Sequence, residues 1–129
     1  MQIRENISLR PYNTFGIDVL ARYFAPFQSL AELEEILATQ QYRKHTALIL
    51  GGGSNILLTK NIDGLVMKNE MGGIEIIRED DDHVYVRAGG GVNWHQLVLY
   101  CVENGFAGAE NLSLIPGNVG ASPMQNIGA

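Results

Sequence analysis

The sequence predicts an α+β fold, with a small parallel strand–helix–strand unit followed by an antiparallel hairpin. Two observations carry the parallel unit: a stretch of helical period opens on a capping pattern, and runs of strand character flank it on both sides. A third carries the antiparallel part, since two short segments, one of them clearly alternating, enclose the acidic turn Asp80–Asp82. The 129 residues, 46% of them hydrophobic, suit one domain of ordinary size with a real core.

Taken in order, the first twenty residues include Arg10-Pro11-Tyr12-Asn13-Thr14-Phe15-Gly16. Proline and glycine bracket two aromatics there, which predicts an irregular segment packed onto a neighbouring surface. Ala21–Phe27 is rich in aromatics and reads as a short strand, with Pro26 marking its end or a sheet edge because proline cannot donate to a ladder. Ser29, with Glu32 three residues on, forms a capping box, and Leu30, Leu33, Ile36 and Leu37 follow at helical spacing. A helix is expected from about Leu30 to Gln40. Thr46–Leu50 is a continuous apolar run, as expected of a strand buried on both faces. The three elements together imply a parallel pair with a right-handed crossover.

Leu65–Met67 reads as a further short strand, and Ile74–Glu79 with His83–Ala88 as a hairpin in which Val84 and Val86 alternate with Tyr85 and Arg87. Carboxylates at three successive positions do not match a calcium loop, which skips positions, so Asp80–Asp82 reads as a solvated turn. Asn93 is a good N-cap for a second helix. Trp94, Leu97, Val98, Cys101 and Val102 then form an apolar stripe that ends before Gly105 at the C′ position. Trp94 and Cys101 are accordingly expected in the core.

Composition narrows the ligand. The net charge is −5 and there is no cluster of Lys or Arg, which argues against nucleic acid or an anionic membrane as partner. An anionic ligand would be held mainly by backbone N–H groups. Cys101 is the single cysteine, so no disulfide framework exists and a reducing cytoplasm is the expected compartment. The N-terminus lacks an apolar signal core, and no run approaches the ~20 apolar residues of a membrane span.

His45, His83 and His95 fall on different elements without ligand spacing, so no metal site is expected. Ser54 and Ser122 stand outside any G-x-S-x-G setting, so neither is assigned as a nucleophile and no catalytic residue is expected in the chain. The stronger candidate is the loop Gly51-Gly52-Gly53-Ser54-Asn55, which leaves a strand at its carboxyl end, where open α/β sheets bind ligands. Neither G-x-G-x-x-G nor a P-loop is present, and the loop alone reads equally as a tight turn or as an anion-binding nest. A second segment favours the nest. Ile115–Ala129 (I-P-G-N-V-G-A-S-P-M-Q-N-I-G-A) carries no charge and shows neither helical nor strand period. Two uncharged, backbone-rich segments suit a long phosphate-bearing dinucleotide.

Four stretches carry a family resemblance: Asn13–Ile17, Leu50–Asn55, Gly91–His95 and Ile115–Ala129. In these the chain resembles the UDP-N-acetylenolpyruvoylglucosamine reductases, flavoenzymes of bacterial peptidoglycan synthesis. The resemblance implies the FAD-binding fold shared with vanillyl-alcohol oxidase, a small parallel α/β lobe and a larger antiparallel lobe with FAD between them. Residues 1–70 would form the first lobe and residues 71–129 the beginning of the second. It further implies that FAD is held by Gly51, Gly52, Gly53, Ser54 and Asn55 and by Ile115, Pro116, Gly117, Gly120, Ala121, Ser122, Gln125, Asn126 and Gly128.

In that family NADPH reduces the flavin, hydride passes to the enolpyruvyl group of a UDP-sugar, a serine protonates the neighbouring carbon, and an arginine and a glutamate stabilise developing charge. None of these three residues matches a position in this chain. The resemblance therefore implies an N-terminal, FAD-binding portion of about the first third, inactive alone and liable to self-associate through an unfinished sheet edge. The alternatives are a stand-alone nucleotide- or phosphate-binding module and another flavin oxidoreductase of the same fold.

Overall fold

In a computed structural model, residues 1–125 and 127 are described. The chain divides into two units, Met1–Glu70 and Met71–Ala129. The first is built on a four-stranded sheet of order β1–β2–β4–β3, with β1 Arg4–Ser8, β2 Leu20–Phe27, β3 Ala47–Leu50 and β4 Ile62–Asn69. Strand β1 runs antiparallel to β2, while β4 lies parallel to both β2 and β3.

This arrangement corrects two expectations. The strands before and after the first helix are parallel but not paired, because β4 is inserted between them. And β3, expected to be buried on both faces, is an edge strand with Ile49 66% exposed. The central position falls to β4, whose Gly64, Leu65, Val66 and Met67 are all buried. An apolar run is necessary for a central strand, but four residues paired on one side leave the other side open. Ahead of the irregular segment Arg10–Gly16 the chain also contains β1, for which no strand was expected. Its polar sequence, Arg-Glu-Asn-Ile-Ser, hides the strand because only Ile7 and Ser8 are even half-buried.

Pro26 sits inside β2, yet without cost. Strand β1 reaches only to Phe24, so β2 is locally an edge at Pro26, and β4 alone continues beside it. Between Ala21 and Tyr23 the register with β4 slips by one residue. The extra residue lies in β4; in β2, Ala21 and Phe24 both enter one core with Leu9, Val19, Leu50, Leu58 and Val66.

Helix α1, Leu30–Ala38, begins as expected. Ser29 accepts from the N–H of Glu32 at 3.2 Å, and the Glu32 carboxylate accepts from the N–H of Gln28 at 2.6 Å. It ends two residues early because Thr39 is extended. The Thr39 hydroxyl donates to the Ile36 carbonyl at 2.6 Å and accepts from the N–H of Tyr42, so it caps α1 and opens the short α2, Gln40–Lys44.

Of the two aromatics expected to pack in the N-terminal segment, Tyr12 does, its ring lying 4.7 Å from that of buried Phe24, whereas Phe15 is 67% exposed. Asn13, itself buried, fixes the turn. Its amide donates to the Leu9 and Ile17 carbonyls at 2.8 and 3.0 Å and its oxygen accepts from the Ile17 N–H at 3.0 Å.

The second unit contains the hairpin β5 Ile74–Glu79 and β6 Val84–Ala88. Its turn is the solvated one expected, closed by the Asp80 carboxylate, which accepts from the N–H groups of Asp82 and His83 at 3.0 and 2.7 Å. These bonds hold the Asp80 carboxyl below the usual range. Helix α3, Trp94–Glu103, follows and is capped by Asn93. It closes with the Gly105 N–H on the Val102 carbonyl and the Phe106 N–H on the Cys101 carbonyl, the pairing of a Schellman motif. Only Val98 of its stripe is buried. Trp94 and Cys101, expected in the core, are half-buried. Short 3₁₀ turns occupy Arg10–Tyr12, Glu110–Leu112 and Val119–Ala121, and a last helical turn, α4, spans Ser122–Gln125.

Gly53 and Gly16 both take positive φ, +70° and +65°. A Cβ on Gly53 would lie 1.9 Å from the Tyr12 carbonyl oxygen, whereas one on Gly16 would meet nothing within 4 Å. Gly16→Ala is expected to cost roughly 1–2 kcal/mol of backbone strain, and Gly53→Ala roughly 2–5 kcal/mol once overpacking is added. Urea unfolding of the two variants checks the order; equal losses would mean that the Gly53 contact relaxes freely.

Candidate functional site

In the first unit, Gly51–Asn55 leave the carboxyl end of β3 without regular structure. The Thr14 N–H donates to the Gly53 carbonyl at 2.9 Å, and the Lys68 ammonium donates to the Gly51 carbonyl at 2.7 Å. Two of the loop's carbonyls are thus tied down. The N–H groups of Gly52, Gly53, Ser54 and Asn55 are not: among the described residues none accepts a hydrogen bond from them. Gly53 is buried, Gly51 and Ser54 are half-buried, and Gly52 and Asn55 are exposed. Uncommitted N–H dipoles at a strand's carboxyl end suit an oxyanion.

In the second unit, the first turn of α3 holds the glycine-rich segment. The Trp94 indole donates to the Leu112 carbonyl at 2.8 Å, and His95 Nδ1 accepts from the Leu114 N–H at 3.0 Å. The Trp94 N–H donates to the Gly117 carbonyl at 2.9 Å, and a bridge pairs Asn93 with Asn118. The Val119 and Gly120 N–H groups donate to the Val92 and Gly90 carbonyls at 2.8 and 3.0 Å. Leu114 stands at φ +64°, a costly conformation for leucine that its bond to His95 helps to hold.

Not every residue expected at this site is placed alike. Gly117 is buried, Ile115, Ala121, Ser122 and Gln125 are half-buried, and Pro116 and Gly120 are exposed. Asn126 and Gly128 lie outside the described residues. The segment expected to have no regular period carries the 3₁₀ turn Val119–Ala121 and α4. The N–H groups of Ile115, Gly117 and Asn118 have no acceptor among the described residues, whereas those of Val119 and Gly120 are spent on the support.

Sequence reasoning missed what supports both segments. Gly89–Gly91, read as a lead-in to α3, is the bed of the second: a Cβ on Gly120 would lie 3.0 Å from the Gly90 oxygen. A concavity of about 480 Å³ opens beside it, bordered by Gly72, Gly73, Glu75, Arg87 and Gly90. Lys68 was missed although the signal exists, a lone cation closing the apolar run Leu65–Met67. Burial pushes its ammonium below the usual lysine range, an effect that Glu70 partly offsets. Burial likewise pushes the Cys101 thiol up. Among the described residues no group of three His, Cys, Asp or Glu could hold a metal ion, and no helix is long and apolar enough to cross a membrane.

The fold and the two glycine segments define a cofactor-binding domain, and comparison with known proteins says which. The chain belongs to the FAD binding domain family, whose sequence model matches residues 21–129. It is 52% identical over all 129 residues to the UDP-N-acetylenolpyruvoylglucosamine reductase of Amoebophilus asiaticus and 53% identical to that of Flavobacterium johnsoniae. In both cases it spans 38% of the relative's length. Its fold is similar to the crystal structure of UDP-N-acetylenolpyruvylglucosamine reductase from Thermus caldophilus, with a TM-score of 0.67, 24% identity, and coverage of 95% of this chain and 41% of that one. The resemblance read from the four sequence stretches, and the FAD-binding fold it implied, are both upheld.

Substituting Gly120 by Val places a branched side chain against the Gly90 backbone. The Val119 and Gly120 amides are expected to exchange hydrogen at least roughly tenfold faster, reflecting loss of about 1–2 kcal/mol of local protection. Unchanged exchange at these two amides would show that the segment is not held by Val92 and Gly90.

Proposed function

We propose that this chain binds FAD through the Gly51–Asn55 loop and through Ile115–Gly117, Gly120–Ser122, Gln125, Asn126 and Gly128. In this reading it is the cofactor-holding part of an NADPH-dependent reductase that converts UDP-N-acetylglucosamine enolpyruvate to UDP-N-acetylmuramate in the cytoplasm. The observation that carries the reading is identity of 52–53% across the whole chain to two proteins named for that activity. The donor chemistry fits: the loop N–H groups without internal acceptors suit a pyrophosphate, and Ser54, Asn55, Ser122 and Gln125 add neutral hydrogen-bonding groups for ribityl and ring edges. FAD would supply the hydride-carrying ring. The chain's own part is to bind and orient it, and no residue here is assigned to hydride or proton transfer.

Titration of the chain with FAD, followed by flavin fluorescence, is expected to give a one-to-one complex. With NADPH and the enolpyruvyl substrate the loaded chain is expected to show no turnover. Absence of binding at millimolar FAD would sink the first half of the proposal, and steady NADPH oxidation coupled to product would sink the second.

Self-association belongs to the same reading. The two-stranded hairpin leaves Ile76 45%, Ile77 51% and Tyr85 40% exposed, and short sheets with apolar faces recruit further strands. Light scattering is expected to report species larger than the monomer at high concentration, and Ile77→Lys to reduce them.

A further inference from the structure

The proposed FAD reading leaves the glycine loop with neutral donors only. Lys68 changes that. In the parallel ladder it lies opposite Leu50, the residue from which the loop departs. Two residues along β4 from Val66, it lies on that residue's face of the strand, half-buried, and its head reaches the loop. The ammonium donates to the Gly51 carbonyl at 2.7 Å. Among the described residues no carboxylate stands within 4.0 Å of it, and Glu70 acts on it only from farther away.

A lysine ammonium carries three donors, and the Gly51 carbonyl uses one. Holding a half-buried cation without a carboxylate is costly, and burial does lower its proton affinity. The Arg22 guanidinium shows the contrast, since it sits 2.9 Å from the Asp63 carboxylate and is well exposed. At Lys68 the charge is half-buried with no carboxylate within 4.0 Å among the described residues, beside backbone N–H groups that no described residue accepts from.

We propose that Lys68 is the counter-charge of a phosphate subsite at the Gly51–Asn55 loop, taking the pyrophosphate of a dinucleotide such as FAD, and that its bond to the Gly51 carbonyl holds the ammonium toward that subsite. The proposal rests on the FAD reading for the identity of the ligand, but not for its charge.

The test uses the full 129-residue chain and the variants Lys68→Met and Lys68→Arg. Methionine keeps the apolar stem; Lys68→Gln serves as a second neutral variant where Lys68→Met does not fold. Affinities are measured for FAD, for riboflavin, which has the same ring and no phosphate, and for inorganic pyrophosphate. Lys68→Met is expected to weaken FAD roughly tenfold or more, to leave riboflavin unchanged and to abolish pyrophosphate binding, with Lys68→Arg restoring most of the loss. Equal loss of FAD and riboflavin would overturn the proposal, since Lys68 would then only hold the loop in shape. Wild-type affinity for FAD in the neutral variant would overturn it as well. If the wild-type chain binds no FAD, that reading fails by itself, and pyrophosphate alone decides for Lys68. Binding to wild type and not to Lys68→Met supports it, and equal or absent binding to both overturns it.

Discussion

The close approach of Gly53 to the backbone of Tyr12 and Asn13 is the constraint on which the first unit depends. With a Cβ at position 53 the two backbones could not share that space. Without one, the Thr14 N–H reaches the Gly53 carbonyl and the loop after β3 rests on the N-terminal segment. That segment is rigid in turn. Asn13 ties together both ends of its own turn, and Tyr12 lies against Phe24 at the centre of the core. One buried amide, one aromatic pair and one missing methyl thereby transmit the order of the sheet to a loop that has no regular structure. A ligand meeting this loop finds its donors already placed, which lowers the ordering cost of binding.

The second unit reaches a similar result with different parts. Here the first turn of α3 is the support, and Asn93, Trp94 and His95 each engage the segment that follows Leu112. In both segments the supporting elements take up carbonyls: Gly51 and Gly53 in one, Leu112 and Gly117 in the other. A carbonyl pointing at an anion repels it, whereas an N–H attracts it. In the first segment this leaves the N–H groups of Gly52 to Asn55 without an acceptor among the described residues, whereas in the second the N–H groups of Val119 and Gly120 are taken up as well.

How much of this was legible in the sequence follows from the range of the interactions. The capping box at Ser29, the Asp80 turn, the Asn93 cap and the Gly105 stop are set within a few residues of chain, and they were readable. Which strand is central is not local. The run at 46–50 is more uniformly apolar than that around Gly64, yet β4 lies between β2 and β3 because both parallel neighbours pair with it. Strand β1 escaped because an edge strand with mostly exposed side chains has no alternation to show. The break at Thr39 depends on one hydroxyl serving two helices. Of the candidate site, the glycine segments themselves were visible. Of their supports, Thr14 and Gly90 were not, since each acts on residues far away in sequence, and Lys68 showed only as a lone cation closing an apolar run, with nothing to tie it to Gly51.

An acidic chain in a family that binds an anionic cofactor poses an electrostatic question, and distance answers it. The net charge of −5 is the sum of charges spread over the whole chain. At physiological salt the Debye length is about 8 Å, so most of those carboxylates are screened from a ligand at the loop. What a phosphate would feel is what it touches: backbone N–H dipoles and, if Lys68 acts as proposed, one ammonium partly withdrawn from water. A pair of opposite charges about 4 Å apart near a protein surface is worth up to roughly 4 kcal/mol, far more than the same pair in bulk water. The half-burial that lowers the proton affinity of Lys68 is thus the same feature that strengthens its pull on a nearby anion. Net charge and pI argue about solubility and non-specific partners, and they carry little information about a site in which one half-buried cation and a few fixed dipoles would meet the ligand.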